Sequence, residues 1–279
     1  MRLAGLALLM AGLAGCAPAA ADAPVVRSRS GPVRVVSINP CVDAVLMQVA
    51  DARQIAGISH YSQDERATSI GVSLARKFNA TSGTAEEVVA LAPDLVIAGG
   101  HVEPSTIAAL GRLGIPLVLI GVPETIEQSN AQIRQIAKAV GHTERGERLV
   151  QRINAAVIAA APDNRRQIPA LIWQGGGMVP GEGTLAGELL TATGFRNMSA
   201  DYGLAMWDVL PLEQLVARPP RVLLSVGSTA RSDRMLGHPV LKHFKTSVAV
   251  REYPERLLHC GGPTIIDSVQ HLANIRRSL

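Results

Sequence analysis

Three histidines stand where α/β proteins do their chemistry. His60, His101 and His259 each come after a β-rich run. Imidazoles so placed can ligate a metal or haem iron, or donate hydrogen bonds to a bound molecule. No spacing typical of tetrahedral ligation accompanies them, so no resident metal or cofactor is expected, and hydrogen bonding is the expected role. His142 and His243 fall in polar helical stretches, where solvation is expected. Cys41 and Cys260 form a second chemical pair, compatible with separate thiols, soft metal ligands or a disulfide. In an oxidising compartment the disulfide is the expected state. Trp207 and Tyr61 stand out because only 3% of residues are aromatic, and binding sites favour such side chains.

Glu86 and Glu213 head two similar segments. With these residues aligned, Val89 meets Val216, Pro93 meets Pro220, and Leu95-Val96-Ile97 meets Val222-Leu223-Leu224; Gly99 and Gly227 then lie within one residue of each other. Each copy is a helix led by Glu, a Pro that stops it, and a buried strand. A carboxylate at a helix N-terminus complements the macrodipole, which is one reason for both; the other is a pair of acidic knobs, one per copy. Catalytic signatures are missing: there is no G-x-S-x-G, no H-E-x-x-H and no Walker sequence. Gly175-Gly176-Gly177 and Gly181-Glu182-Gly183 lack the Lys and Ser/Thr of a phosphate cradle and read as tight turns. No catalytic residues are assigned, and the chain is not expected to be an enzyme.

These residues need a scaffold, and the hydrophobic pattern supplies one. Strands are expected at 33–39, 55–59, 94–98, 115–121, 170–173, 221–226 and 248–251. Helices are expected at 42–49, 86–91, 106–113, 185–193, 212–217, 240–244 and 265–276. Strands alternating with helices imply α/β architecture with mainly parallel sheets covered on both faces. Between the copies, 125–160 carries Ile126, Ile133, Ile136, Val140, Leu149, Ile153 and Val157 at mostly helical spacing. Gly141 and Gly146 interrupt it and no Pro does. One long helix, or two nearly continuous ones with a weak point near Gly141, is expected to bridge two lobes; ~30 residues span about 45 Å.

The N-terminus reads as an export signal. Arg2 precedes an apolar stretch, Leu3–Leu13, too short for a bilayer, and Leu13-Ala14-Gly15-Cys16 fits lipoprotein processing with lipidation at Cys16. Ordinary cleavage after Ala19-Ala20-Ala21 is the alternative. The expected organisation is a leader at 1–16, a flexible tether at 17–32, an N-terminal lobe at 33–124, an inter-lobe helix at 125–161 and a C-terminal lobe at 162–279. The protein is expected in the periplasm or cell envelope, touching membrane only through a lipid anchor. Apolar residues make up 47% of the chain, so its core is aliphatic, and the net charge of +4 is dispersed without the basic stripe that nucleic-acid binding needs.

The ordered set Arg34-Val-Val-Ser-Ile-Asn-Pro40, Ile55-Ala-Gly-Ile-Ser-His-Tyr61, Glu86–Gly99, Ile115–Gly121, Met206–Leu224 and Gly261-Gly-Pro263 resembles the periplasmic binding proteins for vitamin B12 and iron-siderophores that serve ABC importers. The resemblance covers roughly residues 33–273. It implies two αβ lobes on a stiff backbone helix, a corrinoid or ferric siderophore clamped between them, haem as an alternative cargo, and little lobe closure. It also implies a permease and its ATPase as partners, with Glu86 and Glu213 docking on permease arginines, and a monomeric binding protein. Ligands of parallel sheets sit beyond the strands' carboxyl ends. That rule puts Asn39, Pro40, Cys41, His60, Tyr61 and His101 at the cleft from the first lobe. From the second it puts Gln174, Gly176, Trp207, His259 and Thr264 there, Trp207 also matching a ligand-packing position of the family. Thr264 stands where B12 binders often carry Arg.

Overall fold

A computed structural model describes residues 31–164, 166–227 and 248–279. The leader with Cys16, nearly all of the expected tether, the expected helix 240–244 and His243 lie outside the described residues.

The first lobe is built on five strands, β1 (Val35–Ser37), β2 (Ile55–Ser59), β3 (Ala80–Thr81), β4 (Leu95–Gly99) and β5 (Leu117–Ile120). They are parallel, in the order β3-β2-β1-β4-β5. Successive side chains of a strand point to opposite faces, so a sheet buried on both faces needs unbroken apolar runs. One face carries Val35, Leu95 and Ile97 into a core shared with Leu46 of α1 (Pro40–Val49). The opposite face sends Val36 and Val96 against Val88 of a helix at Ala85–Ala90 and Leu110 of one at Pro104–Arg112. With a one-turn helix at Val72–Ala75, these make α2, α3 and α4 in chain order.

The bridging segment departs from the expected rod. Helix α5 (Ile126–Ala139) and helix α6 (Thr143–Ala160) lie side by side and antiparallel. Arg134 Nε meets Glu147 Oε1 at 2.9 Å, and Asn130 Nδ2 donates to Asn154 Oδ1 at 3.0 Å. Gly141, at φ +81°, turns the chain back on itself in a left-handed conformation that costs a side-chain-bearing residue about 1–2 kcal/mol. Apolar periodicity is the same for one long helix and for a hairpin of two, so the pattern left the reversal open. The chain therefore crosses between the lobes in α6, about 27 Å long for its 18 residues, with α5 packed beside it. His142, expected in solvent, is partly buried ahead of α6, with Nε2 2.7 Å from Gln54 Oε1 and 3.5 Å from Asp51 Oδ2.

The second lobe repeats the plan. Strands β6 (Ile168–Trp173), β8 (Phe195–Asn197), β10 (Val222–Val226) and β11 (Ala249–Tyr253) are parallel in the order β11-β10-β6-β8, and β7 (Met178–Val179) pairs antiparallel with β9 (Asp208–Val209). Helices α7 (Leu185–Ala192), α8 (Leu212–Ala217) and α9 (Thr264–Arg277) complete it. The sequence repeat is thus real in space: α3 with β4 and α8 with β10 each put a strand beside the first strand of their lobe. One apolar cluster runs unbroken from Leu46 and Ile133 through Leu149 and Ile153 to Leu224 and Leu272, so α1, α5, α6 and α9 bind both lobes to a common core.

Candidate functional site

In the first sheet the strand order reverses between β1 and β4. The connections after those strands depart in opposite directions and leave a crevice beyond their carboxyl ends, where ligands of open α/β sheets bind. Asn39 follows β1. Its side chain accepts from the Cys41 and Val42 backbone N–H groups at 2.8 and 3.1 Å and caps α1, with Pro40 pre-set for the first turn. Across the crevice, Gly99 closes β4; a Cβ there would lie 2.3 Å from Asn39 Nδ2, so only glycine lets the cap and the strand end approach this closely.

The crevice deepens into a cavity of about 370 Å³. Asn39, Cys41, His60, Tyr61 and His101 line it from the first lobe, and His259 and Gly262 from the second. His60 and Tyr61 are presented on a short 3-10 turn, His60–Gln63, that leaves β2; Ser59 Oγ accepts from Tyr61 N at 3.3 Å. Their rings lie 4.0 Å apart, and Tyr61 is 53% exposed. His60 Nδ1 stands 3.2 Å from the Thr81 carbonyl, which can only accept; Nδ1 therefore carries a proton, and in the neutral ring Nε2 keeps the lone pair.

Among the described residues, the second lobe reaches this cavity through one loop. Cys41 and Cys260 form a disulfide, Cα–Cα 5.1 Å, that fastens the loop before α9 to the first turn of α1. Gly262 N donates to Ser129 Oγ of α5 at 2.7 Å and pins the same loop a second time. His259, with Nε2 3.6 Å from Glu255 Oε1, is thereby held at the cavity wall. A second hollow of about 560 Å³ adjoins the first; Pro40, Asp64, Arg66 and Glu255 line it, and Tyr61 and His259 line both.

The remaining expected contacts lie elsewhere. Gln174 follows β6, its N–H donating to Met178 O at 2.9 Å, and Gly176 sits exposed in the next turn. Trp207 is 39% exposed just before β9. Neither hollow includes these three. Thr264 is buried in the first turn of α9, directly after Pro263, and is not among the described residues lining either hollow. Glu86 and Glu213 are both exposed, in the first turns of α3 and α8.

Two carboxylates that the sequence reading passed over support the wall from behind. Glu87 accepts from Ser82 N at 2.6 Å, Ser82 Oγ at 2.9 Å and Thr81 Oγ1 at 3.0 Å, and fixes the 81–83 loop at the cavity edge. The Ser82 backbone N–H, then the two hydroxyls, hold its carboxyl below the usual range. Asp43, fully buried in α1, accepts at Oδ2 from Ser59 N at 3.0 Å and from Ser62 Oγ at 2.7 Å, while Oδ1 has no partner. Burial pushes its pKa up to about 7 despite those hydrogen bonds. A carboxylate inside an otherwise apolar helical run, Val42–Met47, was the available signal for Asp43. Glu103 is the one charged side chain, imidazoles apart, among the described residues of the cavity wall. Among the described residues no cluster of three or more His, Cys, Asp or Glu is arranged to hold a metal ion.

Comparison with known proteins follows this geometry. The sequence profile of a family described as periplasmic binding protein matches residues 35–251. A cobalamin-binding protein of Halobacterium salinarum is 25% identical over 209 residues, covering 73% of this chain; the alignment spans 56% of that longer relative. A vitamin B12-binding protein of Pectobacterium carotovorum is 22% identical over 269 residues, 87% of this chain and 88% of the relative. Among solved structures, a periplasmic haem-binding protein of Roseiflexus superposes with TM-score 0.70 at 23% identity, covering 88% of this chain and 97% of that one. A periplasmic vitamin B12-binding protein of Vibrio cholerae gives 0.68 at 17% identity, covering 88% and 97%. These structural likenesses speak to the fold: two αβ lobes with mainly parallel sheets.

Proposed function

The chain belongs to the periplasmic binding protein family, whose members bind rather than catalyse, and on that basis we propose that it captures a metal chelate outside the inner membrane and hands it to an ABC permease. The observation that carries this reading is the cavity itself. It lies at the sheet's switch point, is walled by both lobes, and offers imidazoles, a phenol, amides, hydroxyls and the Glu103 carboxylate to a bound molecule. Among chelates, a corrinoid leads. Two relatives are cobalamin or vitamin B12 binders. Haem is the second reading. Tyr61, half out of the wall and flanked by His60 and His259, presents the phenol and imidazole groups that axial ligation of haem iron uses.

Export with a lipid anchor at Cys16, a monomeric state, and permease docking through exposed Glu86 and Glu213 complete the proposal. Titration of the apo protein with cyanocobalamin, haemin and a ferric siderophore, read by thermal shift and absorbance, tests it; a bound cargo raises Tm by mass action. Cyanocobalamin is expected to bind most tightly, with Tyr61→Ala and His259→Ala each weakening it roughly tenfold, the loss of about one good contact. Absence of binding across all three would sink the assignment. Haemin binding that shifts its absorbance and disappears in Tyr61→Phe would transfer it to haem.

A further inference from the structure

A buried carboxylate, Asp43 of α1, stands behind the cavity wall. Val42, Ala44, Val45 and Leu46, its neighbours on α1, are all buried. Packing alone would be served better by another apolar residue, since burying a polar group costs several kcal/mol unless it is hydrogen-bonded (roughly 2–7 by reference state). The Ser37 hydroxyl of β1 also acts on this carboxyl, but the two hydrogen bonds to Oδ2 both come from one place. Ser59 N–H and Ser62 Oγ–H bracket the start and the third residue of the His60–Gln63 turn, and both donate to the same oxygen, Oδ2. Between them lie His60 and Tyr61, the two residues of that turn that face the cavity. The carboxyl therefore registers the loop after β2 against the helix after β1, and so sets where the imidazole and the phenol stand relative to Asn39 and Cys41 on the neighbouring wall.

We propose that Asp43 is a positioning residue of the cargo site, holding the His60–Tyr61 turn through the double acceptor at Oδ2; the proposal rests on the cavity being the cargo site. Asp43 touches no cargo. Its action is to preorganise groups that do, and a site held to within a fraction of an ångström binds more tightly than one that must be ordered on binding. An amide oxygen in place of Oδ2 would accept the same two hydrogen bonds, so the acceptor, not the charge, is the working feature.

The experiment compares Asp43→Ala, Asp43→Asn and Ser62→Ala in the full mature chain. Cyanocobalamin and haemin titrations give the affinity of the folded fraction. Hydrogen exchange over residues 58–63, measured without cargo, gives the state of the turn. Asp43→Ala is expected to weaken cargo binding about 10- to 100-fold, the range for losing hydrogen bonds to an ionisable acceptor. It is also expected to raise exchange selectively at 58–63, while Asp43→Asn returns both to within about threefold of the parent protein. Ser62→Ala, which removes one donor and leaves the carboxyl in place, is expected to give a smaller loss in the same direction and serves where Asp43→Ala fails to fold. Unchanged exchange at 58–63 in Asp43→Ala, or an Asn variant as impaired as the Ala variant, overturns the proposal. If the parent protein binds neither cargo, the corrinoid and haem readings fail, and the exchange data alone decide whether Asp43 holds the turn.

Discussion

Asp43 keeps its proton at a pH where an unfolded chain would release it. Its folded pKa is about 7, against 3.8 for an unperturbed Asp. Between those values the native state binds the extra proton, so stability falls as pH rises from about 4 to about 7. The size is on the order of 4 kcal/mol across the whole span, at about 1.4 kcal/mol per unit. Urea denaturation at pH 4.5, 6 and 8 is expected to show that fall in the parent protein and a flatter profile in Asp43→Asn; equal slopes would contradict it. Glu87 has the opposite sign. Its exposed carboxylate is held below the usual range by Ser82 and Thr81, so what it contributes is present at neutral pH and lost on acidification through its folded pKa. At this scale the sequence singled out Asn39, Cys41, His60, Tyr61, His101 and His259, all of which line the cavity, because each lies just past a strand or in a loop between elements and such positions are readable locally. It missed Asp43 and Glu87, whose partners, Ser59 with Ser62 and Thr81 with Ser82, are identified by distance rather than by any pattern.

Elements show where local pattern stops. The long strands β2, β4, β6 and β10 came through as buried apolar runs, and α3 and α8 as their matched helices. The two-residue strands β3, β7 and β9 did not, since two residues carry no period. The α5–α6 hairpin is the instructive case. Gly141 was recognised as a weak point, yet whether the chain runs on or folds back depends on the contact of Arg134 with Glu147 and of Asn130 with Asn154, which periodicity cannot register. Gly141→Ala is expected to destabilise the fold by about 1 kcal/mol, and to lower Tm by about 2–4 °C for a protein this size, with cargo affinity unchanged. Differential scanning calorimetry checks it; an unaltered Tm would mean that residue 141 can give up its left-handed conformation at no cost.

Across the whole molecule, two lobes share a core and a covalent tie. The Cys41–Cys260 disulfide spans 219 positions and joins α1 to the loop that carries His259 to the cavity. Closing so long a loop stabilises by about 5 kcal/mol through the entropy it removes from the unfolded chain. A reductant is expected to lower the denaturation midpoint of the parent protein to that of Cys41→Ser/Cys260→Ser and to leave the double variant unaffected; a midpoint indifferent to reductant would remove the tie from the account. Docking belongs to this scale too. Glu86→Ala with Glu213→Ala is expected to keep cargo affinity and abolish uptake in a reconstituted transporter, since both carboxylates lie in exposed first turns outside the cavity wall. Equal loss of cargo binding would refute that division.

By itself the sequence determined the alternation of strands and helices, the duplicated half with its two leading glutamates, and the strand-end positions from which ligand groups must come. Each of these is written in local periodicity and in the spacing of Pro and Gly. Only the tertiary structure decided which of those positions meet. It brought His259 and Gly262 to the first lobe's cavity, left Gln174, Gly176 and Trp207 outside it, buried Thr264, and set Asp43 behind the His60–Tyr61 turn. Those outcomes depend on contacts between residues far apart in the chain, and no local pattern carries the distance between them.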